Sequence, residues 1–129
     1  SDILSRELNI ADFGLIFAGA QKNIGPSGVT LVIIRTDLLD RSPDTIPNFF
    51  NYNTHNDANS LYNTPPTFGI YIASLVFKRL LDQGGLAAQE ARNAEKAAIL
   101  YDAIDSSDIL YCPVPINYLD AHNNRPSTV

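Results

Sequence analysis

Two short apolar runs in the first part of the chain predict β-strands. Residues 13–18 read Phe-Gly-Leu-Ile-Phe-Ala and are followed by Gly19, whereas residues 29–34 read Val-Thr-Leu-Val-Ile-Ile. The second run is rich in β-branched side chains, which fit the extended backbone of a strand. Gly, Pro, Asn and Ser fill the interval from Gly19 to Gly28, so a loop is expected between the two strands.

Two longer segments have the spacing of α-helices. The first follows Thr64-Pro-Pro-Thr and is expected to stop at Gly84 and Gly85, because Pro suits a first helical turn and Gly a helix end. Its early turns are apolar on most sides, which predicts burial between layers or between subunits. The apolar positions are Phe68, Tyr71, Ile72, Leu75, Val76 and Leu80. The second helix is expected from about Leu86 to Ile104, with a buried stripe of Ala87, Ala91, Ala94, Ala98 and Tyr101.

The remaining segments have weaker sequence signals for secondary structure. Residues 42–63 are rich in Pro, Asn, Asp, Ser and Thr, which predicts a long loop serving as an interface arm or a site wall. Residues 37–40 are expected to form at most one helical turn, and residues 108–114 one further strand. Strands followed by long helices indicate the α/β fold class.

Composition excludes several function classes. The chain of 129 residues is 45% hydrophobic and 18% charged, as in ordinary globular proteins, and its net charge of -5 disfavours nucleic acid. Its apolar runs are too short to cross a bilayer, and the single Cys112 cannot form an internal disulfide. We therefore expect a cytoplasmic protein with no membrane or nucleic-acid partner. Two isolated histidines, His55 and His122, do not make a metal site with that cysteine, so no metal is expected.

The loop between the two predicted strands has the clearest chemical signal. Lys22 follows a predicted buried strand, has Ala and Gly neighbours, and is followed by nine residues without an acidic group. Small neighbours allow a flat ligand to approach the backbone, and low polarity would favour the neutral amine that Schiff-base chemistry requires. A lysine at a loop tip, extended into solvent, is the alternative, and the residues alone favour it.

Three further polar groups have both a chemical and a structural interpretation. Asn63 and Thr64 precede a helix, where an amide, a hydroxyl and free backbone N–H groups suit a phosphate, although a helix cap explains them equally well. His55, with Asp57 nearby, could act as a general base, but the same spacing is common in solvated loops.

Taken together, two motifs resemble the phosphoserine aminotransferase family, whose members are fold-type-I enzymes dependent on pyridoxal 5'-phosphate (PLP). These motifs are AGAQKNIGPSGVTLVIIR, from Ala18, and NTPPTF, from Asn63; the initial SDILSR and Asn124-Arg125 are also similar. The resemblance implies that Lys22 carries PLP as a Schiff base and that Gln21 binds its phosphate. It also implies a homodimer in which Asn63 and Thr64 reach the phosphate of the other subunit's cofactor.

The resemblance further implies an internal piece of such an enzyme. Residues 1–105 would belong to the large PLP-binding domain, a mostly parallel sheet with flanking helices, and residues 106–129 would begin the small C-terminal domain. The parent would interconvert O-phospho-L-serine plus 2-oxoglutarate and 3-phosphohydroxypyruvate plus L-glutamate in serine biosynthesis, and the piece alone is expected to have little activity. The alternatives are another fold-type-I PLP enzyme and a non-catalytic dimerisation fragment.

Overall fold

A computed structural model describes residues 3–110 of the chain. These residues divide into two compact units, which are considered separately. The first comprises Leu8–Arg79, and the second combines Asp2–Glu7 with Leu80–Val129, of which residues 3–7 and 80–110 are described.

A pair of antiparallel strands forms the centre of the first unit. Strand β1 (Leu15–Gly19) pairs with β2 (Thr30–Ile34), in a register that sets Leu15 opposite Ile34 and Gly19 opposite Thr30. Both predicted strands are therefore confirmed, with slightly later starts. The parallel strands expected for the parent sheet are not tested by this pair.

The loop region after β2 is more ordered than expected. A 3₁₀ helix occupies Thr36–Arg41, a 3₁₀ turn occupies Asn48–Phe50, and helix α1 spans Tyr52–Asp57. The long loop predicted over residues 42–63 thus contains one short 3₁₀ turn and one six-residue helix, which the sequence did not predict. The polar residues that suggested a loop form a helix cap and a side-chain hydrogen bond. The Asn51 side chain accepts from the Asn53 N–H at 2.9 Å, and the Asn53 side chain donates to Asp40 at 2.7 Å.

Both long helices are present. Helix α2 spans Thr67–Asp82 and helix α3 spans Gly85–Asp105. Between them Gly84 has a φ of 96°, a left-handed conformation that side-chain-bearing residues rarely adopt, so the expected glycine stop is confirmed.

The predicted buried stripe on α3 was wrong. Ala87, Ala91, Ala94 and Ala98 are exposed, and Tyr101 is only half-buried. A neighbouring face is partly covered instead, because the Asn93 side chain donates to the Ser5 carbonyl oxygen at 3.3 Å. Residues 108–110 are irregular rather than extended, and the remainder of the strand predicted over residues 108–114 lies outside the described residues.

Candidate functional site

The loop that carries Lys22 is closed by two backbone hydrogen bonds. The Ala20 N–H donates to the Val29 carbonyl oxygen at 2.9 Å, which extends the strand pairing by one step. The Gly25 N–H donates to the Ala20 carbonyl oxygen at 2.8 Å, so residues 20–25 form a tight turn with Lys22 near its middle. One end of this turn, Ala20, is therefore bonded to Val29 just before β2, and the other end, Gly25, is bonded to Ala20.

Two apolar residues of the turn itself are buried. Ala20 is fully buried and Ile24 is 2% exposed, which makes Ile24 the largest fully buried side chain of the described residues. Gly28, with a φ of 102°, allows the chain to reverse into β2. The conformation of the loop is thus fixed by its buried residues and its backbone hydrogen bonds rather than by Lys22 itself.

Lys22, in the middle of this turn, is exposed to solvent. Within residues 3–110 its ammonium group makes no hydrogen bond or ion pair. Ala20 is buried and Gly19 is half-buried, but Lys22 itself is exposed, so the described chain alone does not withdraw the amine from water. An accessible amine without a competing carboxylate is what covalent attachment to an aldehyde requires.

Gln21 lies folded back over the end of β1. A methyl group built on Gly19 would lie 2.8 Å from Gln21 Oε1, so a side chain at position 19 would turn the flexible Gln21 carboxamide away from this position. The carboxamide of Gln21 is exposed beside Lys22 in sequence, and it can donate two hydrogen bonds.

Asn63 and Thr64 are both exposed and precede α2. The cap interpretation of Thr64 is wrong, because the helix begins only at Thr67, and Thr67 bonds through its N–H to the Pro65 carbonyl oxygen at 2.9 Å. Neither Asn63 nor Thr64 makes a hydrogen bond within residues 3–110, so the structure does not join this pair to Lys22 directly. Both side chains are available to an external group.

His55 is held by a hydrogen bond and by contacts with aromatic rings. Its Nε2 donates to the Phe49 carbonyl oxygen at 2.7 Å, and its ring makes edge contacts with Phe49 and Tyr62 at centroid distances of 5.7 and 5.8 Å. Asp57 instead accepts from Asn56. The general-base interpretation of His55 with Asp57 therefore receives no support from these contacts.

An open depression of about 190 Å³ lies at the opposite end of the strands. It is mostly apolar, and its one charged side chain, Arg35, is already engaged with Asp37 through two hydrogen bonds, one of 2.9 Å. That pairing lowers the pKa of Asp37 and raises the pKa of Arg35. The depression includes none of the predicted site residues and offers little chemistry. No cluster of three potential metal ligands occurs among the described residues, and none of their helices could span a membrane.

Comparison with known proteins identifies the family. The model of the aminotransferase class-V family matches residues 1–128. The chain belongs to the class-V aminotransferases. Within this family it is 60% identical over 113 residues to the phosphoserine aminotransferase of Geobacillus kaustophilus, which covers 88% of the chain and 31% of that relative. It is 56% identical over 123 residues to the phosphoserine aminotransferase of Leptospira biflexa, covering 95% of the chain and 34% of the relative.

Solved structures of this class-V family share the fold of the described chain. Phosphoserine aminotransferase from Bacillus circulans subsp. alkalophilus superimposes with a TM-score of 0.78 at 53% identity, covering 82% of the chain and 29% of that protein. The PLP-bound enzyme from Trichomonas vaginalis gives 0.77 at 47% identity, covering 83% and 30%. The expected α/β fold of the PLP-dependent family is confirmed. The chain spans about a third of the length of the relatives it matches.

Sequence reasoning missed the packing that holds the lysine loop. Gly69, in the first turn of α2, and Val29, just before β2, are in contact, as are Gly25 and Ala73. The signal was a glycine within a predicted helix, where alanine would be the better helix former.

Proposed function

We propose that this chain is the part of a phosphoserine aminotransferase that carries the cofactor lysine. The observation that supports this most directly is the exposed, unpaired amine of Lys22 on an anchored turn, in a chain that is 60% identical to such an enzyme over 113 residues. The whole protein would interconvert O-phospho-L-serine plus 2-oxoglutarate and 3-phosphohydroxypyruvate plus L-glutamate, as a step of serine biosynthesis.

The residues present fit PLP. Its pyridine ring would supply an electron sink for the bond changes at the substrate α-carbon. Lys22 would hold it covalently through Nζ; once released, the same nitrogen would accept the proton from the substrate α-carbon. The carboxamide of Gln21, next to Lys22 in sequence, would donate to the phosphate group.

Asn63 and Thr64 would complete a phosphate site on another subunit. Their amide and hydroxyl groups lack partners among residues 3–110 and stand just before the start of α2. Charge-free donors at such a position suit an anion, because the first backbone N–H groups of a helix are also available. We therefore propose a homodimer in which this pair approaches the partner's cofactor.

Exposed apolar side chains support that association. Phe49, Phe50 and Tyr71 are 58%, 67% and 58% exposed, and Phe68 in the first turn of α2 is 73% exposed. Apolar surface of this extent is typical of an interface. We further propose that residues 1–105 belong to the large domain, that residues 106–129 begin the small domain, and that the protein acts in the cytoplasm.

A matched pair of lysine substitutions tests the proposal. This chain would replace the matching segment of the Geobacillus kaustophilus enzyme, with Lys22→Arg in one chimera and Lys96→Arg in a second. Arginine keeps the charge but does not form the covalent link. We expect Lys22→Arg to reduce transamination of O-phospho-L-serine by about 10³-fold or more, since the whole covalent route is lost.

The outcome is checked by labelling. Borohydride reduction of the PLP-bound chimera, followed by mass spectrometry, should place the cofactor on Lys22. Lys96→Arg should leave both activity and labelling unchanged, because Lys96 is an exposed residue of α3. Full activity of Lys22→Arg would contradict the proposal. Activity with other amino donors but not with O-phospho-L-serine would favour a different fold-type-I enzyme.

The exposed apolar surface also favours the second candidate, a dimerisation fragment without catalysis. Sedimentation of the 129-residue chain distinguishes the two. Self-association without any PLP attachment in the chimera would support the fragment, whereas attachment to Lys22 would support the enzyme.

A further inference from the structure

Gly69 occupies a position where a glycine is unfavourable for the helix. It lies in the third position of α2 and is buried, although an alanine there would stabilise the helix. A methyl group built on Gly69 would lie 2.8 Å from Val29 Cγ2 and 4.0 Å from Pro26 Cγ. The absent side chain is therefore what allows the helix to approach the end of the lysine loop.

Val29 connects that contact to the turn. Its carbonyl oxygen accepts the hydrogen bond from the Ala20 N–H that closes the loop at 2.9 Å, while its side chain meets Gly69. A β-branched side chain has few alternative rotamers. A larger residue at position 69 would consequently displace the Val29 backbone, and with it the base of the turn.

A second contact lies one helical turn further along α2. A methyl group built on Gly25 would lie 3.6 Å from Ile72 Cγ2 and 3.8 Å from the Ala73 backbone nitrogen, and Ala73 is 5% exposed. Gly25 also donates the second hydrogen bond of the turn, to Ala20. Helix α2 thus contacts Val29 and Gly25, the two residues whose hydrogen bonds close the turn on Ala20, and Lys22 lies between Ala20 and Gly25.

We propose that Gly69 is a positioning residue for Lys22, acting through Val29. This inference depends on the proposed role of Lys22 in holding PLP. The orientation of the amine is set by the turn, the turn is closed on Val29, and Val29 is placed by its close contact with α2. Because the packed interior resists small displacements, a shift at this contact moves the turn rather than being absorbed by its neighbours.

Gly14 provides a matched control. A methyl group on Gly14 would also lie 2.8 Å from a side-chain carbon in the same unit of the chain, here Leu38 Cδ1, the end of a side chain that can turn aside more easily than Val29. Gly14 precedes β1, whereas the lysine turn follows β1, so Gly14 and the turn are separated by roughly 20 Å of extended strand. The Gly14 carbonyl oxygen accepts from the Arg35 N–H at 2.9 Å, which supplies a local reporter.

The first measurement is amide hydrogen exchange by NMR in the 129-residue chain, which requires no cofactor. We expect Gly69→Ala to accelerate exchange of the Ala20 and Gly25 amides by roughly tenfold or more relative to the strand amides, as strain from an overpacked methyl predicts. Gly14→Ala should affect the Arg35 amide and leave those two unchanged. Combining Gly69→Ala with Val29→Ala should restore the wild-type pattern, including when Gly69→Ala alone fails to fold.

The second measurement is the affinity of the chimeric enzyme for PLP, followed by the visible absorption of the lysine-bound cofactor. We expect Gly69→Ala to weaken the affinity for PLP by roughly tenfold, since a small displacement of a reacting group is costly. Adding Val29→Ala to Gly69→Ala should restore the affinity. If the unmodified chimera binds no PLP at Lys22, the proposed function fails. If it binds PLP but Gly69→Ala changes neither exchange nor affinity, or Val29→Ala does not restore them, the positioning role is refuted.

Discussion

Replacement of Ile24 by alanine tests whether the lysine turn is held by its buried anchor. Ile24 is 2% exposed, so the substitution removes three fully buried carbon atoms. At about 0.8 kcal/mol per buried methylene the transfer loss is roughly 2.4 kcal/mol, and the cavity left behind raises the total to about 3–4 kcal/mol. A domain of this size is stable by only about 5–15 kcal/mol, so the change is large.

Urea unfolding followed by circular dichroism measures this loss, and Ile99→Ala provides the control. Ile99 lies on α3 and is 69% exposed, so the same chemical change should alter stability by no more than about 0.5 kcal/mol. We also expect Ile24→Ala to reduce PLP labelling of Lys22 in the chimeric enzyme. A destabilisation below about 1 kcal/mol, comparable to that of Ile99→Ala, would refute the claim that Ile24 anchors the turn.

Three smaller predictions concern groups outside the turn. The pKa of Asp37 is lowered mainly by its hydrogen bonds to Arg35, so NMR titration should show it rising toward its ordinary value in Arg35→Gln; the pair's stabilisation is present at neutral pH and is lost as the pH falls through the lowered pKa. His55→Phe keeps the ring contacts but loses the hydrogen bond to the Phe49 carbonyl oxygen, so urea unfolding should show a loss of about 1 kcal/mol, and an unchanged midpoint would contradict the assignment. Gly84→Ala forces a side chain into the left-handed region, so the melting temperature should fall, with a loss of about 1–2 kcal/mol, and a higher melting temperature would show that this φ is not required.

Much of the secondary structure was predictable because it depends on local pattern. The β-branched run before Arg35 predicted β2, and the glycine pair after Gln83 predicted the end of α2. Helix α1 was not predicted, because Asn and Asp favour loops on average and become caps only when a neighbour supplies a partner. Here Asn51 caps α1 by accepting from the Asn53 N–H, and Asp40, thirteen positions before Asn53, accepts from the Asn53 side chain.

The candidate site divides in the same way. The sequence singled out Lys22 by its small, charge-poor surroundings, and family motifs added Gln21, Asn63 and Thr64, whose roles stay predictions. The residues alone favoured a solvent-exposed Lys22, as the structure shows, but they did not reveal that the cap expected at Thr64 is absent. Exposure and capping depend on where the backbone turns, and a residue's type alone does not determine that.

The chain by itself determined the chemical groups available and the order of the two strands and the two long helices, because these follow from residue type, apolar runs and the helical period of 3.6. Only the tertiary structure decided how the lysine turn is held. The contact between Gly69 and Val29 joins residues forty positions apart, and it leaves no room for a side chain at position 69, since an added methyl would lie 2.8 Å from Val29 Cγ2. In our proposal, close packing between these distant segments therefore places the Lys22 amine of this chain.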